Sequence, residues 1–130
     1  MERQLKVLVV EDDPGFRCLM QEFLIASGFA VEGAESATEG IKRALSFKPD
    51  LILLDYELGD MTGYDAACSL RYMAATRDTP LMLLSALGAD PLLVGCFRRL
   101  RTCRGVLVKT FPLEKILMEI RRALAEGGGI

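Results

Sequence analysis

A chain of 130 residues suffices for one domain with a single core and is too short for two. Hydrophobic residues make up 51% and charged residues 26%, with a net charge of -2, the balance of an ordinary globular protein rather than a disordered chain. It also speaks against a general nucleic-acid or membrane-surface binder, which needs clustered excess Lys and Arg.

The first apolar run, LKVLVV at 5 to 10, reads as a strand. It is too short for a signal-peptide core and is followed at once by three acids, so no export is implied. Asp13 is a plausible N-cap and Pro14 a first helical residue. Phe16, Leu19, Met20, Phe23 and Leu24 then repeat at helical spacing up to Gly28, a C-terminal cap. FAVEGA at 29 to 34 is a second strand. SATE at 36 to 39 is a capping box, Ser36 with Glu39, opening a helix to about Phe47. LILLD at 51 to 55 is a buried strand that ends on a charge. Ala66, Ala67, Leu70, Met73 and Ala74 mark a third helix, and TPLMLLS at 79 to 85 a fourth strand. Asp90 and Pro91 repeat the cap-then-proline signal before Leu92, Leu93, Cys96, Phe97 and Leu100. GVLVK at 105 to 109 is the fifth strand. Pro112 opens a last helix striped by Leu113, Ile116, Leu117, Ile120 and Leu124.

Strands apolar on both faces imply a parallel sheet covered by helices on both sides, hence an α/β doubly wound fold of five βα units. Residues 1–126 form the domain, and 127–130 read as a flexible tail or the start of a linker. No apolar run approaches the roughly 20 residues needed to cross a bilayer, so the expected location is cytoplasmic. Cys18, Cys68, Cys96 and Cys103 show no CxxC pairing and there is no histidine; they read as buried or incidental reduced thiols rather than zinc ligands.

In open α/β sheets the functional crevice lies beyond the carboxyl ends of the strands. The first strand here ends in Glu11, Asp12 and Asp13, the third in Asp55, the fourth in Ser85 and the fifth in Lys109. Crowded carboxylates repel unless a cation favours their ionised forms. With oxygen ligands only, Mg²⁺ is favoured over zinc. Adding an ammonium and a hydroxyl makes the cluster suited to a phosphoryl group, with Asp55 as the nucleophile that attacks phosphorus in line.

VLVVEDDP, PDLILLDYELGDMTGYD, PLMLLSA and LVKTF together resemble the receiver domain of two-component response regulators over residues 5 to 125. The resemblance implies a flavodoxin-like sheet of order 2-1-3-4-5. It implies that Asp55 accepts a phosphoryl group from the phosphohistidine of a sensor histidine kinase or a histidine phosphotransfer protein. It further implies that Glu11, Asp12, Asp55 and the backbone carbonyl of Glu57 hold Mg²⁺, and that Ser85 and Lys109 bind phosphoryl oxygens. Such a module is a regulatory phosphoacceptor rather than a multiple-turnover enzyme. The competing readings are a pseudo-receiver that binds without phosphorylation and an aspartate-nucleophile phosphohydrolase, for which DYE at 55 to 57 imitates a DxD signature only weakly.

Four departures from the family pattern carry expectations of their own. Thr110 follows the lysine where receivers usually have proline, so a trans Lys109–Thr110 peptide and a rearranged loop are expected. Val106 stands where many receivers carry Tyr or Phe, so no ring can swing there. Gly59 replaces a common proline, which predicts a more mobile loop after Asp55. Between Ser85 and Lys109 the chain is slightly long, with the surplus near RRLRTCRG. Its Arg98, Arg99, Arg101 and Arg104 either decorate a helix C-terminus or form a docking patch for an acidic partner. Glu57 is either an exposed loop acid or a group that tunes the phosphoryl lifetime.

Overall fold

A computed structural model describes residues 3–128. Ten elements alternate without exception: β1 (Lys6–Val10), α1 (Pro14–Ala26), β2 (Ala30–Ala34), α2 (Ala37–Phe47), β3 (Leu51–Asp55), α3 (Gly63–Tyr72), β4 (Leu81–Ser85), α4 (Pro91–Arg98), β5 (Cys103–Val108) and α5 (Leu113–Gly128). All strand pairs are parallel, in the order β2-β1-β3-β4-β5. The expected sheet order is the observed one.

Because successive strand side chains point to opposite faces, the apolar runs divide between two cores. Leu8, Val10, Ile52, Leu54, Leu81 and Leu83 pack against Ala37 and Ala44 of α2, Ala66, Ala67 and Leu70 of α3, and Phe97 of α4. Val7, Val9, Leu51, Leu53, Met82 and Leu84 pack against Met20 and Leu24 of α1 and against Ile116, Ile120 and Ala123 of α5. Every residue of β3 and β4 is buried, which fixes the register that sets Asp55 and Ser85 at the carboxyl edge.

The helix starts follow their caps. Asp13 accepts from the Gly15 amide at 3.2 Å, Thr62 from Asp65 at 3.1 Å and Asp90 from Leu92 at 2.9 Å. The capping box forms only in part. Ser36 accepts from the Glu39 amide at 3.1 Å, but the Glu39 carboxylate is drawn away to Arg43 at 3.3 Å, an i, i+4 pair on the same helix face. Pro112 lies one residue outside α5, its carbonyl taking the Ile116 amide at 3.1 Å. α5 runs to Gly128; Gly129 and Ile130, the end of the segment 127–130 read as a tail or linker, lie outside the described residues. α3 ends at Tyr72 because Met73 turns extended (φ -89°, ψ 134°). Of the two alternatives for the free thiols, buried or incidental, Cys18, Cys68 and Cys96 take the second, being exposed, and Cys103 is half-buried.

The length surplus before Lys109 is taken up by a bulge. Leu81 pairs with Cys103 and Leu83 with Val106, so β5 carries one more residue than β4 over this stretch. Gly105 sits there at φ 143°, in the region that favours glycine.

Candidate functional site

Continuing ladder bonds carry the candidate site residues past the sheet edge. The Glu11 amide donates to Ala34 at 3.0 Å, the Tyr56 amide to Leu84 at 3.2 Å and the Lys109 amide to Ser85 at 2.9 Å. Glu11, Asp55 and Lys109 thereby emerge at the carboxyl ends of β1, β3 and β5, on one rim of the sheet, with β4 lying between β3 and β5.

Glu11 is fully buried and Asp55 nearly so, whereas Asp12 is exposed. Carboxylate oxygens of these three lie within 4.8 Å of one another. Lys109 Nζ bridges two of them, at 2.6 Å from Glu11 Oε1 and 3.2 Å from Asp55 Oδ2. Only the Asp55 contact is a well-formed hydrogen bond. Glu11 Oε1 is buried, and the Lys109 ammonium 2.6 Å away is its ion-pair partner. Three carboxylates converging within 4.8 Å, two of them buried and with a single ammonium to balance them, fit an all-oxygen site for a hard divalent cation.

Burial pushes the Glu11 carboxyl above the usual carboxylate range, and the neighbouring Asp55 pushes the same way; Lys109 offsets only part of this. Burial also works against the Lys109 ammonium, but Glu11 and Asp55 outweigh it and raise its pKa. The site therefore carries unbalanced negative charge that a bound cation would relieve.

Ser85 is buried at the end of β4, but its hydroxyl donates to the Ala86 carbonyl at 3.1 Å and joins neither Asp55 nor Lys109. Glu57 is exposed; its amide donates to Asp55 Oδ1 at 3.4 Å, and it bridges to Thr62 across the loop. A cleft runs from the carboxylates along this loop to Ala86, Leu87 and Leu93. The Lys109–Thr110 peptide is trans, as expected without proline. Lys109 instead occupies a four-residue turn closed by the Phe111 amide on Val108 at 2.8 Å.

Four residues to which the sequence reading gave no place in the site shape it. Asp60 reaches across to the start of α2, accepting from the Ala37 and Thr38 amides at 2.9 Å each and from the Thr38 hydroxyl at 2.7 Å. These bonds lower its pKa to about 2, with the Thr38 hydroxyl the largest cause. The loop after Asp55 is therefore tethered to the start of α2 at the residue following Gly59. Gly63 approaches the Asp55 backbone so closely that a Cβ there would stand 2.2 Å from the Asp55 carbonyl oxygen. The Phe16 ring lies 5.3 Å from Lys109 Nζ, within cation–π range. Arg17 donates to the Glu11 carbonyl at 2.7 Å. Phe16 announced itself only as part of a helical stripe, and the others left no local signal beyond their residue type.

Residues 7–121 match the response regulator receiver domain family. The transcriptional regulatory protein CusR of Escherichia coli K12 is 31% identical over 126 residues, which cover 97% of this chain and 54% of the relative. The chemotaxis protein CheY of Listeria monocytogenes is 27% identical, covering 92% of this chain and 98% of its own. The chain spans about half the length of several curated relatives, 48% of RpaA from Synechocystis and 52% of SilR from Salmonella typhimurium. Among solved structures, the Vibrio cholerae chemotaxis protein CheY4 superposes with a TM-score of 0.85 at 26% identity, covering 93% of this chain and 99% of its own. A CheY-like receiver protein from Methanospirillum hungatei shares the fold with a TM-score of 0.87 at 20% identity, covering 96% and 97%. Fold, rim chemistry and sequence thus converge, and the chain belongs to the response regulator receiver domain family.

Proposed function

We propose that this domain is a phosphoryl-accepting signalling module in which Asp55 is the acceptor. The observation that carries the reading is the meeting of Asp55 with Glu11, Asp12 and Lys109 on one sheet rim. The donor is the phosphohistidine of a sensor histidine kinase or histidine phosphotransfer protein. An Asp55 carboxylate oxygen forms the new O–P bond as the P–N bond breaks and the imidazole leaves. Glu11, Asp12, Asp55 and the Glu57 carbonyl would hold Mg²⁺, which when bound neutralises charge on the transferring phosphoryl oxygens.

Lys109 begins paired to both buried carboxylates and exchanges its Asp55 contact for a phosphoryl oxygen. Ser85 must rotate away from the Ala86 carbonyl to donate to another. Val106 supplies no ring to report that rotation. Movement of the Ala86–Asp90 loop, which lines the cleft beside Asp55, therefore carries the change toward α4. The module acts as a switch for an output partner rather than as a turnover enzyme.

Intact-mass measurement after incubation with acetyl phosphate and Mg²⁺ tests this. One added phosphoryl, lost in Asp55→Asn, is the expected result. No adduct would place the chain among pseudo-receivers, and continuous donor hydrolysis without an adduct would make it a phosphohydrolase.

A further inference from the structure

The end of the molecule opposite the acidic cleft carries the other sign of charge. α4 ends at Arg98 and β5 begins at Cys103, which places Arg98, Arg99, Arg101 and Arg104 within seven residues beside the first end of the sheet's edge strand. Arg98, Arg99 and Arg101 are exposed and Arg104 is half-buried. Exposed Arg77, from the loop between α3 and β4, joins them: Arg101 Nη2 lies 3.4 Å from the Arg77 carbonyl and 2.6 Å from Asp78 Oδ1. Asp78 is the acid that answers this group. Among the described residues, Arg77, Arg98, Arg99 and Arg104 form no ion pair.

Compensation of the α4 dipole accounts for Arg98 and Arg99, since that effect fades within the last turn. It does not account for Arg77, Arg101 or Arg104. Arg104 stands at the β5 bulge, beside Gly105 at φ 143°, and its carbonyl is fixed by Arg122 Nη2 at 3.0 Å. A bulge on an edge strand re-aims side chains and hinders further strand pairing, so this edge presents guanidinium groups rather than a free ladder. Arg98 and Arg104 both bear on the Cys103 thiol, whose pKa is raised by burial and partly offset by these two cations.

We propose that this edge is a docking surface for an acidic, carboxylate-rich protein segment. Every cation in the group is arginine, whose planar fork matches carboxylates in pairs. Nucleic acid fits less well, because the chain as a whole is negative and its opposite rim is acidic. A second copy offering its own acidic cleft would cover its Asp55 and block access to the phosphoryl site. The occupant is therefore a separate acidic segment.

Fluorescence anisotropy with a labelled Asp/Glu-rich dodecapeptide, at low and at physiological ionic strength, tests the proposal. The unphosphorylated protein is used without Mg²⁺, so the outcome is independent of the role of Asp55. Binding should weaken on the order of tenfold or more in R98E/R99E/R104E and with added salt. K42E/K115E/R121E, an equal change of charge elsewhere, should bind nearly as the wild type does. R98Q/R99Q/R104Q serves if the charge-reversed protein fails to fold. Absence of wild-type binding, equal loss in both variant sets, or tighter binding of a DNA oligonucleotide of matched charge would each overturn the proposal.

Discussion

Replacing Asp12 by asparagine removes one of three carboxylates whose oxygens lie within 4.8 Å of one another, while costing no ion pair or side-chain hydrogen bond among the described residues, so the metal-free domain should become more stable. At 4.8 Å each repulsion is worth about 1 kcal/mol in a water-like medium, the limit suited to an exposed side chain. With Glu11 and Asp55 both relieved, and salt screening taken into account, the net gain is about 1–2 kcal/mol. For a domain of this length the unfolding entropy makes 1 kcal/mol worth roughly 4 °C, so Tm should rise by about 4–8 °C. The assay is thermal unfolding in low-salt buffer with EDTA, repeated with Mg²⁺. Mg²⁺ should raise the wild-type Tm by ligand linkage and raise that of the variant much less. The pH dependence has a definite sign. The folded pKa of Glu11 lies above its ordinary value, so between the two the folded state holds more protons than the unfolded. Stability in EDTA therefore falls as pH rises through that window. A variant Tm equal to or below that of the wild type in EDTA would refute this charge balance.

Asp60→Ala removes three hydrogen bonds from the start of α2 and should cost about 1 kcal/mol, measured by urea unfolding at neutral pH. Since the folded pKa of Asp60 is depressed to about 2, its contribution is intact above the ordinary aspartate pKa of about 4 and is lost as pH falls toward 2; a difference between wild type and variant that persists below that range would contradict the tether. Gly63→Ala places a Cβ 2.2 Å from the Asp55 carbonyl oxygen and should both destabilise by more than about 2 kcal/mol and slow acetyl phosphate labelling, read by melting and intact mass. Gly105→Ala forces a φ of 143° on an L side chain and should cost about 1–3 kcal/mol, with faster amide exchange around the β5 bulge.

The fold was legible because the strands are apolar on both faces and the helices announce their starts. Asp13–Pro14 and Asp90–Pro91 are local signals, and each cap is satisfied within two residues of its source. The site was legible for a related reason: a charged residue directly after a buried strand has one sheet rim on which to emerge, as Asp55 and Lys109 do. What escaped is non-local. Asp60 bonds to residues 22 and 23 positions away, and nothing in LGDMTG distinguishes it from an ordinary turn acid. Glu39 had two competing partners, and its choice of Arg43 over the Ser36 amide depends on side-chain packing that spacing alone does not determine. The surplus near RRLRTCRG was visible as a length, but its resolution as a bulge depends on the pairing of β4 with β5.

The two missing prolines explain how this chain holds its site. A proline after Asp55 would stiffen the loop mainly by restricting the unfolded chain, and one after Lys109 would shape the turn through its fixed ring. Here Gly59 leaves the first loop backbone free, and Asp60 restores the constraint through an ionised carboxylate seated on the positive end of α2. The second loop uses a trans turn closed from Phe111 to Val108, with the Phe16 ring beside the Lys109 ammonium. Both substitutes act in the folded state through bonds that form and break. The loops that follow Asp55 and hold Lys109 are therefore restrained at neutral pH by electrostatics and hydrogen bonding, so a variant that removes either restraint should loosen the site before it unfolds the sheet.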